Sequence, residues 1–180
     1  IDPKFEGDLV YVLGFTHNEL GGSEYFAMKG EQERGKKYIG NSAPRVDAEL
    51  NIGMYKAFSK VAEEGLVASA ISVHRGGLAT ALAKSAIAGQ SGIDVNLEKV
   101  PSYCTRKDYT LYSQSQGRLV VTVNPDNREK FEKVMGQNMI AMIGKIRGDN
   151  QFRITQKGRN VVDTTIDRMT ESYKSTFRDY

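Results

Sequence analysis

The chain has 180 residues, of which 39% are hydrophobic and 26% charged, and its formal net charge is +3. This composition is typical of one globular domain and excludes a disordered tail, a fibre and a coiled coil. Its single cysteine excludes an intrachain disulfide, and its two distant histidines argue against a zinc site. No apolar run approaches the roughly 20 residues of a membrane-spanning helix, and positive charges alternate with negative ones. We therefore expect a cytoplasmic protein that binds neither membranes nor nucleic acid.

The first half of the chain predicts two buried strands, residues 9–13 and 66–73, from their short apolar and β-branched runs. A short helix is expected after Ser23, and residues 29–43, which show no periodicity, are expected to form an exposed loop. Pro44 suits the first turn of a long helix. The apolar face of that helix recurs every three or four residues, at Val46, Leu50, Met54, Ala57 and Val61.

The second half predicts three more helices and four more strands. The helices are 78–88, a segment capped by Asn124, and a last one capped by Asp163 that carries Ile166, Met169, Tyr173 and Phe177. The strands are 93–100, 119–123, and a final pair, 138–146 and 151–155, while 111–117 is a polar loop. No linker divides these elements. The sequence therefore predicts one α+β domain over residues 1–180, an α/β sandwich in which helices cover a mixed sheet.

Two places share one plan, a buried strand followed by a Gly-Gly turn and a helix. Glycine lets the backbone approach a ligand closely, and the N-terminus of a helix offers free N–H groups and partial positive charge. A phosphate-binding site is therefore one interpretation, and a tight turn without a ligand is the other. The residues concerned are Gly21, Gly22, Ser23, Arg75, Gly76 and Gly77.

A third candidate combines hydroxyl and amide groups just before a strand, at Ser113, Ser115 and Gln116. Such groups recognise neutral polar ligands through donor and acceptor pairs, although a solvated loop has the same composition. His74 has no carboxylate near it in sequence to orient it, and Cys104 has no evident partner base. The residues therefore predict neither a catalytic group nor a metal ligand.

Four segments, in this order and spacing, resemble the phosphoribosylformylglycinamidine synthase family, and in particular the last domain of its large synthetase subunit. They are residues 7–14 (GDLVYVLG), 19–25 (ELGGSEY), 67–79 (VASA, then GGLA) and 111–123 (LYSQSQGRLVVTV). The resemblance covers about residues 7–175. It implies the α/β fold shared with aminoimidazole ribonucleotide synthase and a place in purine biosynthesis. The reaction implied is ATP-dependent amidation of formylglycinamide ribonucleotide with ammonia from glutamine.

The resemblance also implies partners and cofactors. A preceding ATP-binding domain of the same chain would supply the Mg²⁺ ligands, and glutaminase and small accessory subunits would complete the complex. ATP and Mg²⁺ thus belong to the full-length enzyme, whereas this domain would help to hold the ribonucleotide substrate or a nucleotide phosphate. Since the chain begins with Ile1, we expect a piece of a longer protein.

Four residues at three places depart from the family pattern, and each departure removes a charge or a base. Ile71 and Ser72 replace a His-Asp pair, Gln114 replaces a carboxylate, and Phe15 replaces a glutamate. These losses favour a non-catalytic pseudo-site with a bound auxiliary nucleotide. Two alternatives remain at this point: a structural scaffold that binds nothing, and a nucleotide- or RNA-binding module that uses the basic residues of 29–40.

Overall fold

The computed structural model describes residues 1–175 and is built on one mixed sheet of seven strands. The strands are β1 (Leu9–Leu13), β2 (Ser69–Val73), β3 (Gly92–Asn96), β4 (Arg118–Val123), β5 (Ile140–Arg147), β6 (Gln151–Gln156) and β7 (Arg159–Thr165). Their order across the sheet is β2-β4-β1-β5-β3-β6-β7. Only β3 and β6 pair in parallel, and the other neighbours are antiparallel.

Residues 1–175 also form six α-helices. They are α1 (Glu24–Arg34), α2 (Ala48–Glu63), α3 (Gly77–Gly89), α4 (Lys107–Tyr112), α5 (Arg128–Met135) and α6 (Ile166–Lys174). Side chains of Ser23, Asp47 and Thr165 accept hydrogen bonds from the first-turn N–H groups of α1, α2 and α6. Within residues 1–175, no helix is both long and apolar enough to cross a bilayer.

The hydrophobic core lies on both faces of the sheet, because side chains alternate in direction along β1, one of its interior strands. Val10 and Val12 of β1 face one cluster, which includes Leu78 and Leu82 of α3. Tyr11 and Leu13 face the other, which is completed by residues of α2 and α5. The predicted α+β class, a mixed sheet covered by helices, is therefore confirmed.

The region before α2 differs from its prediction in two ways. Residues 29–34, expected to be a loop, continue α1 until Gly35, whose φ of 66° ends the helix. The long helix begins at Ala48 rather than near Pro44, because Asp47 accepts a hydrogen bond from Leu50 N at 3.1 Å. As a result Val46 precedes the helix, and Val46 and Leu50, expected in its buried face, are 67% and 72% exposed.

Several strand predictions also need correction. The strand predicted at 66–73 begins only at Ser69, and the one predicted at 93–100 becomes a 3-10 turn at Leu97. The two strands expected to pair, β5 and β6, are separated by β3, because the parallel β3–β6 ladder intervenes.

Two elements were missed, α4 and β7. The predicted polar loop at 111–117 accordingly begins inside α4. Asp163, expected to cap the last helix, lies within β7, and Thr165 is the cap instead. Phe177, assigned to the inner face of that helix, lies outside the described residues.

Asp8 gives a test of the fold through its pH dependence. Its carboxylate oxygens are buried and make no well-aligned hydrogen bond within residues 1–175. Burial raises the pKa of Asp8 above its ordinary 3.8, and the nearby backbone of Phe5 opposes this less strongly. The folded state thus binds this proton more tightly than the unfolded state, so stability falls as pH rises above 3.8. Asp8→Asn should abolish that fall, as measured by urea unfolding from about pH 4 to neutral.

Asp108 supplies the control of opposite sign. Its hydrogen bonds with Arg106 lower its pKa to about 2. The stability that it contributes is present above the ordinary 3.8 and is lost as pH falls toward 2. Asp108→Asn should therefore remove a loss of stability on the acid side. Equal pH profiles for the parent and Asp8→Asn would contradict the assignment of Asp8 as an unfavourably buried charge.

Candidate functional site

The candidate site is the sheet edge at which three neighbouring strands meet. β4 pairs antiparallel with both β1 and β2, which places Leu13 opposite Leu119 and Val73 opposite Arg118. The ends of β1 and β2 and the start of β4 therefore lie side by side. The three predicted motifs follow or precede these strand ends, and this topology is what brings them together.

Arg118 organises this edge from inside. Its side chain is only 2% exposed, yet it makes three hydrogen bonds. Nε donates to Ser115 O at 3.0 Å, Nη1 to Thr16 Oγ1 at 2.9 Å, and Nη2 to Ser113 O at 2.6 Å. Burial lowers the pKa of Arg118 to about 10, and electrostatic interactions with Cys104 and Glu19 oppose this shift. The guanidinium remains charged at neutral pH and fixes the backbone of the 113–116 loop.

The two serines of this loop are buried and face the 15–19 loop. Ser113 Oγ donates to His17 O at 2.7 Å and accepts from Glu19 N at 3.3 Å. Ser115 Oγ accepts from His17 N at 3.0 Å. Gln116 is exposed, and its Nε2 donates to Gln114 O. Ser113 and Ser115 therefore position the loops, and only Gln116 of this motif points toward open space.

The second Gly-Gly turn packs directly on the same loop. A Cβ at Gly77 would lie 2.6 Å from Leu111 O and 2.7 Å from Ser113 O, so only glycine fits there. Gly76 is the N-cap of α3 and gives that helix no side-chain cap. Arg75 forms an ion pair with Glu24 at the start of α1, which joins the two Gly-Gly turns. This turn thus presents an uncapped helix N-terminus beside an exposed cation.

The first Gly-Gly turn is occupied from within the chain. Gly21 N donates to Ser42 O at 2.8 Å and Gly22 N donates to Ile39 O at 2.7 Å. Ser23 Oγ accepts from Phe26 N at 3.2 Å and so serves as the cap of α1. Residues 39–42 therefore cover this turn with backbone carbonyls, in contrast to the open start of α3.

A wide cleft of about 1370 Å³ adjoins the edge, and the sequence analysis missed it. Of the nine predicted site residues, only Gln116 lines it. Its walls come from the 14–19 loop, residues 41–51, Tyr103 and residues 137–139. The sequence signal for this cleft was the apolar residues before and within α2. Two of them, Val46 and Leu50, line the cleft and remain exposed.

Three of the residues expected to depart from the family pattern lie in different surroundings. Phe15 lines the cleft and packs against Tyr103 with a tilted ring, the centroids being 4.3 Å apart. Ser72 is exposed on the edge strand β2, and Nε2 of Gln114 is buried without a hydrogen-bond partner among the described residues. Across residues 1–175 no cluster of three or more His, Cys, Asp or Glu side chains could hold a metal ion.

Arg118→Met tests the role of the buried guanidinium. The substitution keeps much of the volume but leaves Ser113 O, Ser115 O and Thr16 Oγ1 without their donors. We expect a loss of about 3 kcal/mol in the free energy of unfolding, measured with urea, because buried partners of a charged donor lose their compensation. Arg128→Met is the control: Arg128 is exposed and pairs with Glu132 one helical turn away, so only a small loss is expected. Equal losses in the two variants would contradict the role of Arg118.

Comparisons with known proteins agree with this architecture. The chain is 33% identical over 172 residues to the phosphoribosylformylglycinamidine synthase subunit PurL of Methanocaldococcus jannaschii, which covers 96% of the chain and 22% of that protein. It is 38% identical over 145 residues to the PurL subunit of Thermococcus gammatolerans, covering 81% of the chain and 19% of that protein. The chain therefore spans about a fifth of the length of these relatives.

Solved structures show the same fold. Thermotoga maritima PurL complexed with FGAR aligns with a TM-score of 0.77 at 19% identity, covering 93% of this chain and 28% of that one. A HypE–HypF complex aligns with a TM-score of 0.62 at 21% identity, covering 90% of this chain and 54% of that one. The family model described as "AIR synthase related protein, C-terminal domain" matches residues 6–157. The chain belongs to this family of AIR synthase related C-terminal domains.

Proposed function

We propose that the chain is the C-terminal α/β domain of a phosphoribosylformylglycinamidine synthase. In that enzyme it serves the ATP-dependent amidation of formylglycinamide ribonucleotide with glutamine-derived ammonia, a step of purine biosynthesis in the cytoplasm. The preceding ATP-binding domain, the glutaminase and the small accessory subunits are its partners. One observation supports this most strongly: the segments that resemble the family converge on one sheet edge around Arg118.

Related structures agree with this proposal at the level of the whole enzyme. T. maritima PurL has been solved in complexes with FGAR, ATP and ADP, and as part of a PurLQS assembly. Because the described residues offer no metal cluster, Mg²⁺ ligands would come from the ATP-binding domain. When bound there, the ion would neutralise developing charge on the transferred phosphoryl group.

Within the domain, the start of α3 is the better candidate for contact with a phosphate. Arg75 supplies an exposed charge, and Gly76 and Gly77 leave the first-turn N–H groups without a side-chain cap. Gln116 would reach a ligand from the adjoining cleft, while Ser113 and Ser115 hold the loops in place. Gly21, Gly22 and Ser23 would join the site only if residues 39–42 moved away. The role is that of an auxiliary nucleotide or ribonucleotide pseudo-site.

A structural scaffold without any ligand is the second candidate. The internal hydrogen bonds of Gly21 and Gly22 favour it, because those donors are already satisfied. The exposed apolar residues of the cleft, Val46, Leu50 and Met139, fit a surface that packs against a neighbouring domain. Both candidates place the chain in the same enzyme, and ligand binding separates them.

A thermal melt of the chain with separate ligands distinguishes the two. Formylglycinamide ribonucleotide, ADP and inorganic phosphate would be added separately at one common concentration, and a ligand that reaches about 100 times its dissociation constant stabilises the protein by about 2.7 kcal/mol. We expect a rise in Tm of about 5 °C with the ribonucleotide or ADP and a smaller one with phosphate. No shift with any of the three would favour the scaffold.

The matched variants for this melt are Arg75→Gln and Arg128→Gln. Both residues are exposed and each forms one carboxylate pair, so neither change should move the unliganded Tm by more than about 2 °C. Only Arg75→Gln should reduce the ligand-induced shift, by at least about half, because only Arg75 lies at the start of α3. Equal shifts in both variants would remove Arg75 from the site.

The isolated chain should not turn over ATP. Residues 1–175 contain no cluster of three or more His, Cys, Asp or Glu side chains for a metal ion, and we propose that groups of the ATP-binding domain stabilise the charge on a transferred phosphoryl group. We expect phosphate release from ATP, with ammonia and formylglycinamide ribonucleotide present, to stay at the rate of the protein-free mixture. Release that rises in proportion to the concentration of the purified chain would contradict the pseudo-site role.

A further inference from the structure

A row of three aromatic and two arginine side chains in contact lies apart from the residues proposed to contact a ligand. The ring of Phe26 on α1 lies between those of Tyr38 and Tyr109, with centroids 5.1 and 5.9 Å away. The guanidinium of Arg34 lies 5.5 Å over the Tyr38 ring, and that of Arg106 lies 4.7 Å over the Tyr109 ring. The row runs Arg34, Tyr38, Phe26, Tyr109, Arg106, and we call it the arginine–aromatic row.

Two glycines and a stacked ring pair hold this row in place. A Cβ at Gly30 would lie 2.7 Å from Tyr38 Cβ, and one at Gly40 would lie 2.8 Å from the Phe26 ring. Because these two glycines have no side chain, residues 35–40 can pack directly on α1. Behind the row, Tyr25 stacks on Tyr112 with centroids 4.6 Å apart. The row is therefore a preorganised surface formed by α1, residues 35–40 and the start of α4.

Positive charge accumulates around the row. Residues 29–38 and 106–109 contain six Lys and Arg against three Asp and Glu. Two of those carboxylates are already paired, Glu33 with Lys29 at 3.4 Å and Asp108 with Arg106 at 2.6 Å. Within residues 1–175 four exposed cations here form no ion pair: Arg34, Lys36, Lys37 and Lys107. The face thus carries an unneutralised surplus of cations.

We propose that the arginine–aromatic row and its lysines bind an acidic segment of a partner protein, in which Asp or Glu side chains flank an apolar residue. Arg34 forms no ion pair within residues 1–175, so its guanidinium over the Tyr38 ring still offers in-plane N–H donors that match the geometry of a carboxylate, whereas Arg106 already donates to Asp108. Ile39, 70% exposed, and Met28, 46% exposed, supply the apolar contact from residues 35–40 and α1. This surface does not depend on the function proposed for the sheet edge.

Single-stranded nucleic acid fits the row less well. Its bases bind by stacking on free aromatic faces. Here Phe26 packs against Tyr38 and Tyr109 at interplanar angles of 48° and 71°, and a guanidinium lies over each tyrosine ring, so less ring face is free for a base. Glu31 and Glu33 also lie among the cations and would repel phosphates, whereas a flexible peptide can place its carboxylates around them.

Fluorescence anisotropy at low salt tests the proposal. The probes are a labelled peptide that alternates glutamate pairs with leucine, its glutamine counterpart, and labelled oligouridine of equal length. The glutamate peptide should bind the parent chain most tightly and release at high salt. Lys36→Gln/Lys37→Gln should weaken that binding about fivefold, since two exposed ion pairs are lost.

The matched control is Lys56→Gln/Lys60→Gln, which removes the same charge from exposed positions on α2. It should weaken binding by less than about twofold, because net charge alone acts weakly at a distance. Equal weakening in the two double variants, or no binding of the glutamate peptide to the parent, would overturn the proposal. Tighter binding of oligouridine that is lost in Lys36→Gln/Lys37→Gln would identify a nucleic-acid surface instead. A thermal melt of each variant confirms that it is folded.

Discussion

The buried guanidinium of Arg118 is the interaction on which the candidate site depends. A buried charge is costly to desolvate unless it has hydrogen-bond partners. Here each of the three guanidinium nitrogens donates one hydrogen bond, two of them to carbonyls and one to a hydroxyl. These acceptors belong to the loop before β4 and to the loop after β1. One side chain therefore couples two loops that are distant in sequence, and the serines between them complete the hydrogen bonding.

The sheet makes this coupling possible, because it places the start of β4 between the ends of β1 and β2. Gly77 then packs on the carbonyls of Leu111 and Ser113, which brings the start of α3 to the same edge. The two Gly-Gly turns differ in consequence. Backbone carbonyls of residues 39–42 accept hydrogen bonds from the first turn, whereas the second turn gives α3 no side-chain cap. The same sequence plan therefore yields one helix start that is covered and one that can receive a ligand.

Elements with a strong local composition were predictable from the sequence, such as Leu9–Leu13 and the helix that follows Gly77. The first is a short apolar, β-branched run, and the second is rich in Ala and Leu, which favour a helix. The pairing of β3 with β6 was not predictable, since parallel partners are set by tertiary packing rather than by neighbouring residues. β7 was not predicted because its sequence is mostly polar, as is common in an edge strand that is partly exposed.

The site was predicted in part, through glycines and short polar motifs. Sequence could name Gly76, Gly77 and Ser113, but it could not show that Ser113 Oγ is used inside the protein. Nor could it show that Arg118 is buried, because a strand-initiating arginine is usually exposed. The cleft depends on Val46 and Leu50 remaining uncovered, although their spacing matches that of a core-facing helix.

The most direct test of the account is amide hydrogen exchange of the chain with and without formylglycinamide ribonucleotide or ADP. Exchange of individual amides reports local opening and its suppression by a ligand. The account predicts slower exchange at Gly76 and at residues 78–79 and 115–117. Residues 21–23, Gly77, Ser113 and Gln114 should exchange slowly in both states because their N–H groups are already bonded. Unchanged exchange at the start of α3 under saturating ligand, or protection confined to other parts of the chain, would contradict it.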